Sequence, residues 1–199
     1  MSRPGIAVGG LGGVGLIVVL LFAFLGGGSG LEDVIGQLDP AGAPQSQEQP
    51  AEFQGEDEYE VFAETVLGST NDTWIEVFDS SGLQYVEPTL VLFRDGTQSA
   101  CGGASSAVGP HYCPLDETIY LDETFFEELT SRFGAEGGDV AEAYVIAHEV
   151  GHHVQTVTGL SSQLARMRAR ASEAQANALS VRQELQADCY AGVWGHYAG

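Results

Sequence analysis

The chain carries His148-Glu149-Val150-Gly151-His152, followed some thirty residues later by Glu184-Leu185-Gln186-Ala187-Asp188. On a helix the two histidines of His-Glu-x-x-His stand one turn and about 40° apart, so both imidazoles can reach one divalent metal while the glutamate faces the metal's water. Catalytic zinc takes three protein ligands and a water, so a third ligand is required. Extension to a third histidine on the same helix is excluded, because Gln155 stands where that pattern needs glycine and Thr158 where it needs histidine. The other arrangement takes a glutamate from a second helix. Glu184 is then the expected third ligand. Asp188, one turn further on the same face, is placed to accept the N–H of a ligating histidine and fix its tautomer. Zn²⁺ is the expected cofactor and Glu149 the general base of a metal-assisted amide hydrolysis.

Other residues of chemical interest divide by position. His153 points about 100° away from His152 around a helix, which suits a packing or surface histidine and not a ligand. His111 precedes Cys113 and is a candidate for the cleft. His196, Tyr190 and Tyr197 are candidates to stabilise an oxyanion, although Tyr190 and Tyr197 are better read as core residues of the last helix. Cys101 and Cys113 bracket a Gly/Ser-rich stretch, 102–112, with no helix or strand pattern. An oxidised pair is permitted outside the cell, so a Cys101–Cys113 disulfide is expected, contributing roughly 3 kcal/mol in the chain-entropy model. Cys189 is left over and is expected as a small buried apolar side chain in place of a nucleophile or fourth ligand.

At these residues the chain resembles a known family. Ala147 to Gln155, Asn177 to Arg182 and Glu184 to Gly192 are similar to the putative neutral zinc metallopeptidases, a group of bacterial membrane-anchored proteins. So are Ala100-Cys101-Gly102, Ser105 to Pro110, Tyr112-Cys113-Pro114 and Ile119 to Asp122. The likeness runs from roughly residue 85 to 195. It implies a zincin-like fold and zinc peptidase activity on peptides or proteins. Members usually continue well past the Glu-x-x-x-Asp helix, so the resemblance also implies that an element carried there is missing from a chain ending at Gly199.

The elements that must position these residues can be sketched from pattern. Asp57 to Leu67 and Thr73 to Phe78 have helical spacing. Thr89 to Phe93 is an expected strand ending at the turn Arg94-Asp95-Gly96, and Thr118 to Leu121 a second, short and alternating, whose edge is offered to an extended substrate by analogy with zincins. Glu123 to Phe133 is an expected amphipathic helix ending at Gly134. The helix bearing the histidines opens at Gly138 or Asp139 and closes at Gly159. Ser161 to Asn177 is expected helical, and Ser180-x-x-Gln183 is a capping box opening the last helix, which would put Glu184 in a first turn favoured by the macrodipole. The fold class is α+β, helix-rich with a small sheet, over residues 53–199.

Upstream, residues 1–5 contain Arg3 and the run from Ile6 to Leu25 is uncharged, long enough to cross about 30 Å of hydrocarbon. It reads as a transmembrane anchor with residues 1–5 in the cytoplasm, since Arg3 precedes the span and Glu32 and Asp33 follow it. The competing reading is a cleaved signal peptide, for which Ala23-Phe24-Leu25 supplies only a poor site. Residues 26–52, rich in Gly, Pro, Gln and Ser, form a disordered linker. The site is then extracytoplasmic at the cell membrane. With 28 acidic and 7 basic residues, net charge -21, nucleic acid is excluded as a partner, and the acidic surface is read chiefly as solubilising. Arg166, Arg168, Arg170 and Arg182 are read as a solvated face. The alternative function is a non-catalytic extracellular binding module stabilised by zinc, which a closed site bound by Cys189 would favour and the presence of Glu149 opposes.

Overall fold

The computed structural model describes residues 58–94, 96–105, 108–125 and 138–198. The expected anchor, the linker and the body of the helix expected over Glu123 to Phe133 lie outside them. Among the described residues no helix is long and apolar enough to cross a membrane. Among the described residues four helices and five strands follow one another. These are α1 (Glu58–Ser80), β1 (Thr89–Phe93), β2 (Gly96–Ser99), β3 (Gly102–Ser105), β4 (His111–Cys113), β5 (Thr118–Asp122), α2 (Asp139–Val157), α3 (Leu160–Arg168) and α4 (Glu173–Ala198). The α+β, helix-rich class holds.

The two helical segments expected before Phe78 are one continuous helix. Gly68-Ser69-Thr70-Asn71-Asp72 has loop-like composition, but Ala63, Val66, Thr70, Trp74 and Phe78 recur on one face and are buried there. The polar groups of this stretch are satisfied inside the fold: Thr70 and Thr73 hydroxyls donate to Leu67 and Ser69 carbonyls, and Asn71 accepts from Tyr85 and donates to Glu87. Burial of an amphipathic face outweighs weak helix propensity. Gly82, at φ 69°, closes α1, with Leu83 N–H bonded to Phe78 O and Gly82 N–H to Asp79 O, the left-handed stop that glycine makes without strain.

β5 is the centre of a three-stranded sheet in the order β1-β5-β4, parallel to β1 and antiparallel to β4. All five of its residues are buried, because a strand covered on both faces needs no polar side. It therefore has no free edge, and the edge beside the site is β4. Residues 102–112 also depart from the expected loop: β3 pairs with β2 in a hairpin and His111–Cys113 is β4. The Cys101–Cys113 disulfide ties the hairpin turn to the sheet. Asp116 reinforces it by accepting from Ala100 N–H and Tyr120 O–H at 2.8 and 2.9 Å.

The core lies between this sheet and the helices, built from Ile119 and Leu121 of β5, Leu92, Trp74, Phe78, and Ile146, Val150 and Val154 of α2. Trp74 meets Tyr190 of α4 edge-on at 5.2 Å, and Trp194 N–H donates to Ser69 Oγ at 3.0 Å, docking α4 on α1. As expected, α2 follows Gly138 and Gly159 sits just past its end. The segment expected helical from Ser161 to Asn177 breaks after Arg168. The capping box lies eight residues earlier than the expected Ser180-x-x-Gln183, at Ser172-x-x-Gln175: Ser172 N–H and hydroxyl donate to Gln175 Oε1, and Gln175 N–H donates to Ser172 Oγ. Ser180 is thus inside a 26-residue helix, and Glu184 gains nothing from a helix terminus.

Candidate metal centre

α2 carries His148, Glu149 and His152, and α4 carries Glu184 and Asp188. The helices meet at Gly151 and Ala187, where a Cβ on Gly151 would lie 2.9 Å from Ala187 O and 3.0 Å from its Cα. That backbone-to-backbone approach lets a glutamate on one helix reach histidines on the other. Glu184 Oε2 lies 3.4 Å from His148 Nε2 and 3.2 Å from His152 Nε2. One ligand atom from each of the three residues falls within 4.8 Å of the others. His148 Nε2, Glu184 Oε2 and Glu149 Oε1 are buried without a hydrogen-bond partner, a costly state for polar atoms unless something else binds them. Two imidazoles and a carboxylate converging this way fit a zinc ion.

Each imidazole is held from behind. His148 Nδ1 donates to Asp188 Oδ1 at 2.8 Å, and the same oxygen accepts from the Tyr144 hydroxyl. His152 Nδ1 donates to Gln155 Oε1 at 3.0 Å; Gln155 in turn donates to Gln183 O at 2.7 Å and Gln186 Oε1 at 3.1 Å, joining the two helices. Both Nε2 lone pairs are thereby turned toward Glu184. Tyr144 and Gln155 were missed in the sequence, where Gln155 served only to rule out a third histidine. Its spacing, three residues after His152 on the same face, was the available signal.

In the metal-free chain burial works to lower the His148 pKa, yet the Asp188, Glu184 and Glu149 carboxylates raise it to about 10. His152 is raised too, against the cost of burial, chiefly by Glu184. Burial works to raise Glu184, but the two histidines hold it well below the usual carboxylate range.

His153 is a packing histidine, fully buried. Its Nε2 donates to Val86 O at 2.6 Å, so its Nδ1 accepts from the Tyr112 hydroxyl at 3.1 Å, and β4 is clamped to α2. Burial lowers its pKa. His111 does line the cleft, stacked on Tyr120 with ring centroids 5.0 Å apart. Tyr190 packs on Trp74 as expected, but Tyr197 is 58% exposed and not core, because the last turn of α4 runs past the body of the protein. His196 is exposed as well, and none of these three lines the cleft. Cys189 is exposed instead of buried, since it faces away from the α2 contact made by Ala187 and Ala191, and it lies outside the ligand group. Of the four arginines read as a solvated face, Arg168 lines the cleft.

The cleft, about 470 Å³, opens between β4 and the helices and is lined by Glu149, His152 and Glu184 among others. The chain is 43% identical to an uncharacterized protein of Escherichia coli, YpfJ, over 199 residues, 98% of this chain and 67% of that one. It is 50% identical over 114 residues to an uncharacterized protein of Mycobacterium tuberculosis, Rv2575, a match covering 57% of this chain and 37% of that one. No solved structure matches it. The family model for "putative neutral zinc metallopeptidase" matches residues 2–199, and the chain belongs to that family.

Proposed function

We propose that the protein is a membrane-anchored, extracytoplasmic zinc peptidase that hydrolyses peptide bonds with Glu149 as general base. The observation that carries this reading is the partnerless Oε1 of Glu149, a residue lining an open cleft, beside the converging atoms of His148, His152 and Glu184. His148, His152 and Glu184 would hold the metal. When bound, zinc lowers the pKa of a water toward ~7 and polarises a carbonyl oxygen. Glu149 takes the water's proton at Oε1 and returns it to the leaving amine nitrogen. Asp188 and Gln155 accept hydrogen bonds from the imidazoles' Nδ1–H groups and so hold both Nε2 atoms toward the metal position while this happens. β4, the sheet edge whose His111 and Tyr112 line the cleft, offers backbone groups to an extended substrate. Among the described residues the ligand group has three members and excludes Cys189, which supports an open, catalytic site over a closed structural one. The Cys101–Cys113 disulfide supports an oxidising compartment.

Glu149→Gln tests the reading. It should keep zinc, measured by atomic absorption, and lower hydrolysis of a mixed peptide library about 10²- to 10⁴-fold. Wild-type turnover by this variant would overturn the assignment.

A further inference from the structure

All seven basic residues of this strongly acidic chain are arginine, so a guanidinium in the cleft runs against its composition. Arg166, Arg170 and Arg182 are exposed. Arg168, the last residue of α3, is half-buried and shares the cleft with Glu149, His152 and Glu184. Its Nη1 donates to Ser180 Oγ at 3.1 Å. Ser180 lies one turn of α4 before Glu184, on the same face, so this bond anchors the guanidinium roughly 5–6 Å along the helix from the ligand cluster. Among the described residues no carboxylate lies within ion-pair distance of it, although the chain has 28 acids. A planar fork held at one nitrogen, with its other donors open to a cleft, matches a carboxylate. Pro110, Pro114 and Leu115 also line the cleft, and Leu115 is 73% exposed, an apolar surface for the aliphatic part of the chain carrying that carboxylate.

We infer that Arg168 is the specificity-determining residue of this cleft, seating a carboxylate of the peptide substrate within about two extended residues of the scissile bond. The inference rests on the peptidase reading and names its substrate class. Local charge favours it: with a dication bound, the two cleft carboxylates are neutralised and Arg168 leaves the cleft net positive. The carboxylate is an acidic side chain or a free C-terminus, and both present the same group to the fork.

Binding decides the matter independently of turnover. The zinc-loaded Glu149→Gln full chain is titrated with fluorescein-labelled Ala/Leu hexapeptides carrying one Glu or one Gln, each with a free or an amidated C-terminus, and anisotropy is read. A carboxylate-bearing peptide should bind about tenfold tighter than its neutral counterpart. The difference should vanish on adding Arg168→Gln and persist with Arg166→Gln. Loss on Glu-to-Gln exchange identifies a side-chain source; loss on amidation identifies the C-terminus. Equal affinities, or no binding of any peptide, overturn the inference. Should Arg168→Gln fail to retain zinc, Arg168→Lys carries the test: a several-fold weaker preference supports the fork, and an unchanged one overturns it. Hydrolysis by the wild-type chain is scored separately. Arg168-dependent binding without hydrolysis sinks the peptidase reading alone, and hydrolysis indifferent to Arg168 sinks this inference alone.

Discussion

A neutral imidazole binds metal through one nitrogen while the other keeps its proton and donates a hydrogen bond that fixes the tautomer, and the two histidines of this site use different acceptors. Asp188 behind His148 is an anion, while Gln155 behind His152 is neutral. Removing a ligand should therefore differ from removing its support. Glu184→Ala should lose zinc nearly as badly as His148→Ala or His152→Ala; Asp188→Ala and Gln155→Ala should weaken affinity about 10- to 100-fold. Full zinc occupancy of Glu184→Ala after dialysis, by atomic absorption, would place the third ligand elsewhere. Proton competition sets the pH dependence. His148, raised to about 10 without metal, is protonated at neutral pH and must release that proton, so zinc affinity should rise with pH. Chelator competition across about pH 6.5 to 8.5 checks this, and a flat profile would contradict it. Without metal the sign reverses for the fold: the charged His148 contributes fully below its unfolded value of 6.5, and the contribution is lost as pH rises through about 10.

At the scale of elements, the close crossing of α2 and α4 decides whether the ligands meet. Gly151→Ala puts a methyl against Ala187 backbone, which cannot yield as a flexible side chain would. Moving α4 away should cost about 1–3 kcal/mol and lower zinc occupancy together. Urea unfolding of the zinc-loaded chain checks the first and metal content the second; an unchanged midpoint would show that the helices can separate freely. The sheet and helix ends explain why legibility was uneven. β1 and β5 announced themselves by apolar, β-branched runs, whereas Gly96–Ser99 and Gly102–Ser105 have no such pattern and pair through backbone and a disulfide. Two Ser-x-x-Gln boxes occur here, one beginning at Ser172 just before α4 and one at Ser180 within it. Only the first is used as a cap: Ser172 and Gln175 bond one another, whereas Ser180 lies inside the helix and its Oγ accepts from Arg168.

For the molecule as a whole, one pattern still asks for a direct test: the uncharged run Ile6 to Leu25 behind Arg3. N-terminal sequencing of the membrane fraction should recover residues before Ile6; a mature start near Gly26 would make the run a cleaved signal. The sequence alone singled out His148, Glu149 and His152 on one helix and Glu184 and Asp188 on another, because positions one turn apart on a helix share a face whatever surrounds them; the structure brings His148, His152 and Glu184 together. The sequence determined the disulfide partners as well, since short separation and a loop-like context leave little choice. Tertiary structure decided what depends on segments distant in sequence. Tyr144 and His148 meet over Asp188, Gln155 reaches Gln183 and Gln186, β4 and not β5 is the edge at the cleft, and Arg168 turns inward to Ser180. Each is a contact between side chains or strands whose own neighbours carry no sign of it, and packing of the helices against one sheet brings them together.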